Sequence, residues 1–209
     1  MAIAAETRNA AFCKYCRDSK AALSPYAIEG THERAGNLPE SVIEIIHQIA
    51  TDPGRLTRAW FDRMINGGLG YGEFVETVGT VVTTIAIDTF TRAIGMPPHP
   101  LPDPVSGEPS YTRPIGAKHG PAWVPMLAPE DMTASEACLE TVYVSANPTF
   151  IRRALSLVPE EACGLFDLVD AQYLPGALMP DLTIQFRAIT RAQMELIAGR
   201  VSAINKCFY

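Results

Sequence analysis

The chain has 209 residues, of which 47% are hydrophobic and 19% are charged, and its formal net charge is −6. This composition can bury a core and excludes a disordered chain. The basic residues form no run longer than Arg152-Arg153, so there is no positive surface of the kind that binds nucleic acid. We therefore predict a soluble globular protein that does not bind nucleic acid.

The N-terminal region and the odd number of cysteines, five, predict a cytoplasmic protein. Glu6 and Arg8 interrupt what would be the apolar stretch of a signal peptide. The longest apolar run, residues 78–90, is too short and too polar for a membrane helix. We therefore expect neither secretion nor a membrane span, and a reducing compartment in which paired cysteines are redox-active or metal-binding.

Hydrophobic periodicity predicts helices along the whole chain and no strand. The β-branched run at residues 80–87 is similar to a buried strand, but its pattern continues for longer than strands reach. We therefore predict an all-α fold, with the helices packed as a bundle or as two partial bundles. The predicted helices cover residues 2–23, 37–52, 55–66, 71–94, 133–144, 148–157, 160–172 and 187–204.

The segment from residue 96 to residue 129 contains ten of the seventeen prolines. Such a composition predicts an extended connector or an ordered arm rather than a helix. We therefore predict three parts of the chain, which are residues 1–95, the connector 96–130, and residues 131–209.

Cys13 and Cys16 form a Cys-x-x-Cys motif, which is the strongest chemical signal in the sequence. Residues three apart on a helix share a face, with β-carbons about 5–6 Å apart, so a small adjustment allows a disulfide. Lys14, Arg17 and Lys20 place positive charge near the pair, which favours the reactive thiolate. The pair could therefore cycle between dithiol and disulfide.

Two other interpretations of this motif stay open. The cysteines could be inert packing residues, because Cys-x-x-Cys is a short pattern. They could also be half of a zinc site, but zinc needs four ligands and no second cysteine pair is present.

We interpret His47, beside a stripe of isoleucines, as structural, and Cys138 and Cys163 as buried free cysteines. The histidines are scattered along the sequence, at His32, His47, His99 and His119.

The two ends of the chain can be aligned without a gap. Residues 195–209 then lie over residues 1–15, and Cys207 matches Cys13. The alignment predicts an internal repeat, in which the match of Cys16 would be residue 210. We therefore expect the sequence to be a fragment of a longer duplicated protein, and a selenocysteine codon read as a stop is one explanation for such an end.

These motifs resemble the alkylhydroperoxidase D (AhpD) and carboxymuconolactone decarboxylase family, whose active-site helix reads approximately Glu, eleven residues, Cys-x-x-Cys, three residues, His. Glu195 and Cys207 have the Glu-to-Cys spacing of that motif. Residues 1–95 resemble the later part of one such domain in the peroxidase-related branch, and residues 146–209 resemble the earlier part of a second. The resemblance implies an AhpD-like helical bundle of two partial repeats.

In this family the second cysteine attacks a peroxide, the first resolves the sulfenic acid as a disulfide, and Glu and His relay protons. The resemblance therefore implies that Cys16 attacks and Cys13 resolves. Lys20 stands where the relay histidine is expected, and Met1 where the glutamate is expected. We therefore expect the pair to lack its usual acid/base partners, with Lys20 a candidate for stabilising the thiolate. The candidate catalytic residues are Cys16, Cys13, Lys20, Glu195 and Cys207.

The implied activity is that of a thiol-dependent peroxidase or disulfide oxidoreductase. The implied partners are a small-molecule hydroperoxide, a thiol reductant and further copies of the chain in a dimer or larger homo-oligomer, with no cofactor and no metal. The alternative is a catalytically degenerate or truncated helical assembly module, which the missing histidine and glutamate favour. Lactone decarboxylation, the activity that names the larger family, is a third interpretation. It ranks last, because the cysteine pair is typical of the peroxidase branch.

Overall fold

The computed structural model describes residues 1–107, 111–185 and 187–205. Those residues form nine α-helices and no strand, which confirms the predicted all-α class. The helices are α1 (Ala2–Ala10), α2 (Lys14–Ala21), α3 (Glu40–Thr51), α4 (Arg58–Asn66), α5 (Tyr71–Ala93), α6 (Leu139–Val142), α7 (Phe150–Arg153), α8 (Pro159–Gln172) and α9 (Arg191–Ile204).

The longest helix, α5, is the centre of the packing. It begins at a turn in which the Gly70 N–H donates to the Glu73 carboxylate at 2.8 Å, satisfying one of the N–H groups that a helix start leaves free. Helices α1, α3 and α8 pack against α5, and α1 also packs against α3. This arrangement holds α1 and α3 side by side, with residues Ile43, Ile45, Ile46 and His47 forming the buried face of α3.

The predicted single helix over residues 2–23 is wrong, because the structure has two helices there. Helix α1 ends at Ala10, and α2 begins at Lys14 after Cys13, which is extended with φ −61° and ψ 120°. No proline or glycine marks this break in the sequence. The break coincides with the burial of Cys13, which is 0% exposed, so tertiary packing overrides the helix propensity of an alanine-rich segment.

Two later helices are shorter than predicted. Where a helix was predicted over residues 133–144, Glu136 accepts hydrogen bonds from the N–H and hydroxyl of Thr133, both at 2.8 Å. These bonds close a separate 3-10 turn at Ala134–Glu136, because such local bonds compete with a continuous helix. The four residues of α6 follow it, and α7 likewise replaces the helix predicted over residues 148–157.

One hydrophobic core contains residues from before, within and after the proline-rich segment. The described part of residues 96–130 contains no α-helix and ends in a 3-10 turn that begins at Pro129. Burial of these side chains removes apolar surface from water, which is the main favourable contribution to folding. The core includes Ile45, Phe61, Val75, Val124, Leu127, Leu139, Val142 and Ala162.

Cys138 and Cys163 form a disulfide, so the interpretation of both as free cysteines is wrong. Cys138 directly precedes α6 and Cys163 lies in α8, two helices that pack against each other. Their Cα atoms are 6.2 Å apart, and the sequence separation is 25 residues. Closing a loop of that length stabilises a fold by about 3–4 kcal/mol in the chain-entropy account.

Helix α5 meets the length and composition requirement for a membrane-crossing helix, with a mean hydropathy of 1.2 over its best window. Core helices of globular proteins meet the same requirement, so this finding is weak evidence for a membrane span. Only 22% of that window is buried. The exposed apolar residues at and beyond its C-terminal end include Ile87, Phe90, Ile94 and Met96.

The close contact between α5 and α8 depends on the absence of a side chain at Gly79. A β-carbon there would come within 2.8 Å of the Glu161 β-carbon, which moves only with α8. We expect Gly79→Ala to destabilise the protein by about 1–3 kcal/mol in urea unfolding, although alanine is the better helix former. Gly164→Ala is the matched control, because Gly164 lies within α8 and the added carbon would meet no atom within 4 Å apart from its chain neighbours and its own helix backbone. It should stabilise the protein by about 1 kcal/mol. Shifts of the same sign for both variants would contradict this packing.

Glu161, at the contact between α5 and α8, makes the stability of the protein depend on pH. Burial, followed by the charges of Glu76 and Glu160, raises the pKa of Glu161 to about 7. A carboxyl whose folded pKa lies above its unfolded value destabilises the fold when it ionises, so stability falls as the pH rises from the usual value of 4.5 to about 7.

We therefore expect Glu161→Gln to be more stable than the wild type at about pH 8, by roughly 1–2 kcal/mol after allowance for its partial exposure, and about equal near pH 4. Urea unfolding at both pH values measures the difference. Glu29→Gln, at an exposed glutamate, is the control and should show no such pH dependence. A Glu161→Gln effect of equal size at both pH values would contradict the assignment.

Candidate functional site

The cysteine pair lies at the N-terminus of α2. Cys13 is the residue that precedes the helix, and Cys16 lies in its first turn. Both thiols are free, and both residues are buried, at 0% and 5% exposure. The partial positive charge of a helix N-terminus favours the thiolate form of a cysteine placed there.

A buried chain of hydrogen bonds connects Cys16 to a glutamate. His47 Nδ1, on α3, lies 3.1 Å from Cys16 Sγ, and His47 Nε2 lies 3.0 Å from Glu6 Oε1 on α1. A carboxylate only accepts hydrogen bonds, so Nε2 carries the proton and Nδ1 keeps the lone pair that faces the thiol. Glu6, His47 and Cys16 therefore have the arrangement of a nucleophile, its base and the group that orients the base.

Glu6 is itself held by hydrogen bonds. The Asn9 amide donates to Oε1 at 3.0 Å, and the Ala35 N–H donates to Oε2 at 2.9 Å. Burial favours the protonated acid, but the hydrogen bonds from His47, Asn9 and Ala35 outweigh it and lower the pKa of Glu6. Glu6 is therefore a buried carboxylate at neutral pH.

A second carboxylate–histidine pair approaches the same cysteines. His32, in the loop between α2 and α3, has Nδ1 at 3.4 Å from Cys16 Sγ and 3.9 Å from Cys13 Sγ. Its Nε2 lies 2.9 Å from Glu44 Oε2, and the other oxygen of Glu44 accepts from Trp60 Nε1 at 2.9 Å. The four atoms Cys13 Sγ, Cys16 Sγ, His32 Nδ1 and His47 Nδ1 thus lie within 4.8 Å of one another.

The two imidazoles differ in charge. Burial tends to lower the pKa of His32, but hydrogen bonds with Cys16, Glu44 and Cys13 outweigh it and raise this pKa to about 10. Burial lowers the pKa of His47, and the neighbouring charge of His32 adds to that effect despite the opposing bond to Glu6. At neutral pH the site therefore has one cationic and one neutral imidazole.

Cys13 is surrounded by hydrogen-bond donors. Burial opposes its ionisation, but the backbone N–H groups of Cys16 and Glu33 and the His32 side chain hold the pKa of Cys13 below its usual value. Hydrogen bonds to a thiolate favour the charged form, because they replace the water that burial removes.

We expected the pair to lack a neighbouring histidine and glutamate, but His47 contacts Cys16 and Glu6 contacts His47. Interpreting His47 as only structural missed its contact with Cys16. The sequence offered one signal, a histidine on the isoleucine face of α3 that the fold buries completely. Nothing in the spacing connected it to Glu6 or to the cysteines.

The basic residues around the motif have other contacts. Lys20, predicted to replace the relay histidine, donates from Nζ to the Thr51 carbonyl at 2.7 Å. Lys14 forms an ion pair with Asp18, and Arg17 donates to the Phe12 carbonyl. The positive charge closest to the sulfur atoms therefore belongs to His32.

Of the two site residues predicted near the C-terminus, the structure describes Glu195, which is not part of this cluster of contacts. Glu195, on α9, accepts from the Tyr173 hydroxyl at 2.6 Å and forms an ion pair with Arg191 at 2.7 Å. Cys207 lies outside the described residues. Of the five predicted catalytic residues, the structure thus brings Cys13 and Cys16 together, and it places Lys20 at the end of the same helix.

A cavity of about 570 Å³ leads to Cys16. Its wall combines charged groups with apolar and aromatic side chains, a combination that is typical of small-molecule sites. The cavity also contacts one carboxylate–histidine pair of the cluster. Its lining includes Cys16, His32, Glu44, Trp60, Tyr26 and Arg55.

No protein-family model matches the chain, and no curated protein or solved structure matches it either.

Proposed function

We propose that the protein is a thiol-dependent peroxidase or disulfide oxidoreductase that reduces hydroperoxides through Cys13 and Cys16. The observation that carries this proposal is the buried chain from Glu6 through His47 to Cys16. A thiol becomes a nucleophile when it loses its proton, and an oriented neutral imidazole beside it is the group that accepts that proton.

In the proposed first step, His47 Nδ1 accepts the Cys16 proton, and the thiolate attacks the terminal oxygen of a hydroperoxide. The oxygen–oxygen bond breaks, Cys16 becomes a sulfenic acid, and the leaving alkoxide takes the proton from His47 as an alcohol. Glu6 stays ionised and holds the imidazole in the orientation that the transfer needs.

In the second step, Cys13 Sγ attacks Cys16 Sγ as a thiolate, and the proton that the Cys13 thiol has given up passes to the sulfenic oxygen. A disulfide forms and the sulfenic oxygen leaves as water, so one hydroperoxide and two thiols give one alcohol, one water and one disulfide. The two sulfur atoms lie within 4.8 Å of each other, and a disulfide needs about 2.05 Å. Cys13, at the residue before α2, has to move by a few ångströms only, and a thiol reductant then restores the pair.

The cavity supports the assignment of these roles. Cys16 lines it, whereas Cys13 is fully buried, so a substrate in the cavity meets Cys16 first. A volume of about 570 Å³ suits an organic hydroperoxide as well as hydrogen peroxide. The substrate class we propose is therefore a small organic hydroperoxide.

Peptide mapping after mild oxidation tests the proposal. Trypsin cleaves after Arg8, Lys14 and Arg17, so Cys13 and Cys16 fall on separate peptides, residues 9–14 and 15–17. After treatment of the chelator-washed, reduced protein with one equivalent of an organic hydroperoxide, we expect these two peptides to be joined by a disulfide, with loss of the peroxide in equal amount.

The Cys138→Ser/Cys163→Ser double variant is the control and should form the same linked peptides. Cys16→Ser should consume no hydroperoxide. If the wild type forms no link between the two peptides and leaves the peroxide unreduced, the redox function is wrong, and the alternative of an inert assembly module gains support.

A further inference from the structure

The two carboxylate–histidine pairs, Glu6–His47 and Glu44–His32, both place an imidazole beside the two cysteines. Proton transfer from Cys16 requires one imidazole, and His47 fills that role in the proposed reaction. His32 is a second imidazole with its own carboxylate, and its Nδ1 approaches both sulfur atoms, at 3.4 Å and 3.9 Å. We propose that Cys13, Cys16, His32 and His47 form a binding site for Zn²⁺ when the cysteines are reduced.

The set of donor atoms is one that zinc prefers. Two thiolates and two imidazole nitrogens, arranged as a tetrahedron, are the ligands of many structural zinc sites. Zinc–sulfur bonds of about 2.3 Å and zinc–nitrogen bonds of about 2.0–2.1 Å place a sulfur and a nitrogen about 3.5 Å apart in a tetrahedron. The distances of 3.1, 3.4 and 3.9 Å between Sγ and Nδ1 atoms are spread around that value.

The groups behind the ligands have the arrangement that zinc sites use. A histidine that binds zinc through one nitrogen donates its other N–H to a carboxylate or carbonyl, which fixes the tautomer and orients the ring. His47 Nε2 lies 3.0 Å from Glu6, and His32 Nε2 lies 2.9 Å from Glu44. Both rings therefore have Nε2 tied to a carboxylate and Nδ1 near the sulfur atoms.

The chain provides this site with little rearrangement. The His47 side chain is fully buried and that of His32 is 9% exposed, while both cysteines are buried. Zn²⁺ would displace the protons of the two thiols and the Nδ1 proton of the cationic His32, and the two thiolate charges would balance the charge of the ion. The open cavity beside Cys16 and His32 is an entry path. The same sulfur atoms cannot ligate zinc and form a disulfide at once, so zinc would protect the reduced pair.

Cobalt substitution tests the site without any oxidant. We expect the reduced, metal-free full chain to bind one Co²⁺, with the near-ultraviolet thiolate-to-cobalt band and the intense visible bands of tetrahedral cobalt, and equimolar Zn²⁺ to abolish both. Cys16→Ser and His47→Gln should lose the thiolate–tetrahedral spectrum, whereas His99→Gln and the Cys138→Ser/Cys163→Ser variant should keep it. Circular dichroism shows whether each variant is folded.

Glu44→Ala should keep the spectrum and weaken Zn²⁺ binding by roughly 10- to 100-fold in competition with a chelator. Glu40→Ala, at an exposed glutamate of the same helix, should leave the affinity unchanged. X-ray absorption of the zinc-loaded wild type needs no variant, and should show two sulfur ligands at about 2.3 Å and two nitrogen ligands at about 2.0–2.1 Å.

Absence of saturable binding, a spectrum that persists in folded Cys16→Ser and His47→Gln, or a zinc shell without sulfur would overturn the proposal. The redox function is measured separately, with a chelator present. A protein that binds zinc but forms no Cys13–Cys16 disulfide would support the metal site and refute the peroxidase, and the reverse result would do the opposite.

Discussion

Replacing His47 with glutamine is expected to slow the oxidation of Cys16 by an organic hydroperoxide by roughly 10²- to 10⁴-fold, the usual contribution of a positioned base. Glutamine can still donate a hydrogen bond to Glu6, but its amide cannot accept the Cys16 proton. The measurement is the rate at which tryptic peptides 9–14 and 15–17 become linked after rapid mixing with hydroperoxide and quenching with an alkylating reagent. A chelator is present throughout.

His99→Gln is the matched control, because His99 is exposed. Its ring Nδ1 lies 3.2 Å from the Pro100 carbonyl, and its own carbonyl accepts from Arg8. It should react at the wild-type rate. A folded His47→Gln variant that reacts within about threefold of the wild type would show that His47 is not the base.

Glu6→Ala is expected to be the most destabilising of the substitutions considered, by about 3–5 kcal/mol. The substitution removes the acceptor of three hydrogen bonds, from His47, Asn9 and the Ala35 N–H, at a residue that is fully buried. The His47 imidazole, which is fully buried, would be left without an acceptor that water can replace, and this costs free energy in the folded state. Urea unfolding of the reduced protein, followed by circular dichroism, measures the loss.

Glu29→Ala provides the comparison, because this glutamate is exposed and should change the free energy of unfolding by less than about 0.5 kcal/mol. If Glu6→Ala and Glu29→Ala were equally stable, Glu6 would not form the buried contacts that orient His47.

The helices that could be predicted from the sequence are those whose pattern is long and local. The unbroken apolar pattern of residues 71–94 predicts α5 almost to the residue, and the isoleucine stripe predicts α3. The break at Cys13 could not be predicted in this way. It depends on burial of that residue by parts of the chain that are distant in sequence, and an alanine-rich segment contains no local signal for it.

The candidate site likewise contains residues that could be recognised from the sequence and residues that could not. The Cys13–Cys16 pair could be recognised because both residues belong to one short motif. Their partners could not, because His47 is 31 residues from Cys16 and 41 from Glu6. Only the packing of α1 against α3 brings Glu6 and His47 together. Lys20, which the family spacing selected, instead donates to a backbone carbonyl.

The Cys138–Cys163 disulfide shows a further limit of prediction from cysteine count. An odd number of cysteines and apolar neighbours indicated free thiols, but the pairing of α6 with α8 brings these two within bonding distance. Cysteine pairing depends on the distance between Cα atoms, which the sequence separation of 25 residues does not reveal.

The most direct test of the proposed chemistry is to identify the sulfur atom that first receives oxygen. In a Cys13→Ser variant no resolving thiol is present, so one equivalent of an organic hydroperoxide should leave a sulfenic acid on Cys16, which a dimedone reagent labels on the tryptic peptide 15–17. The Cys16→Ser variant should show no label on peptide 9–14. Labelling of Cys13 in preference to Cys16, or of neither, would contradict the account in which Glu6 and His47 activate Cys16.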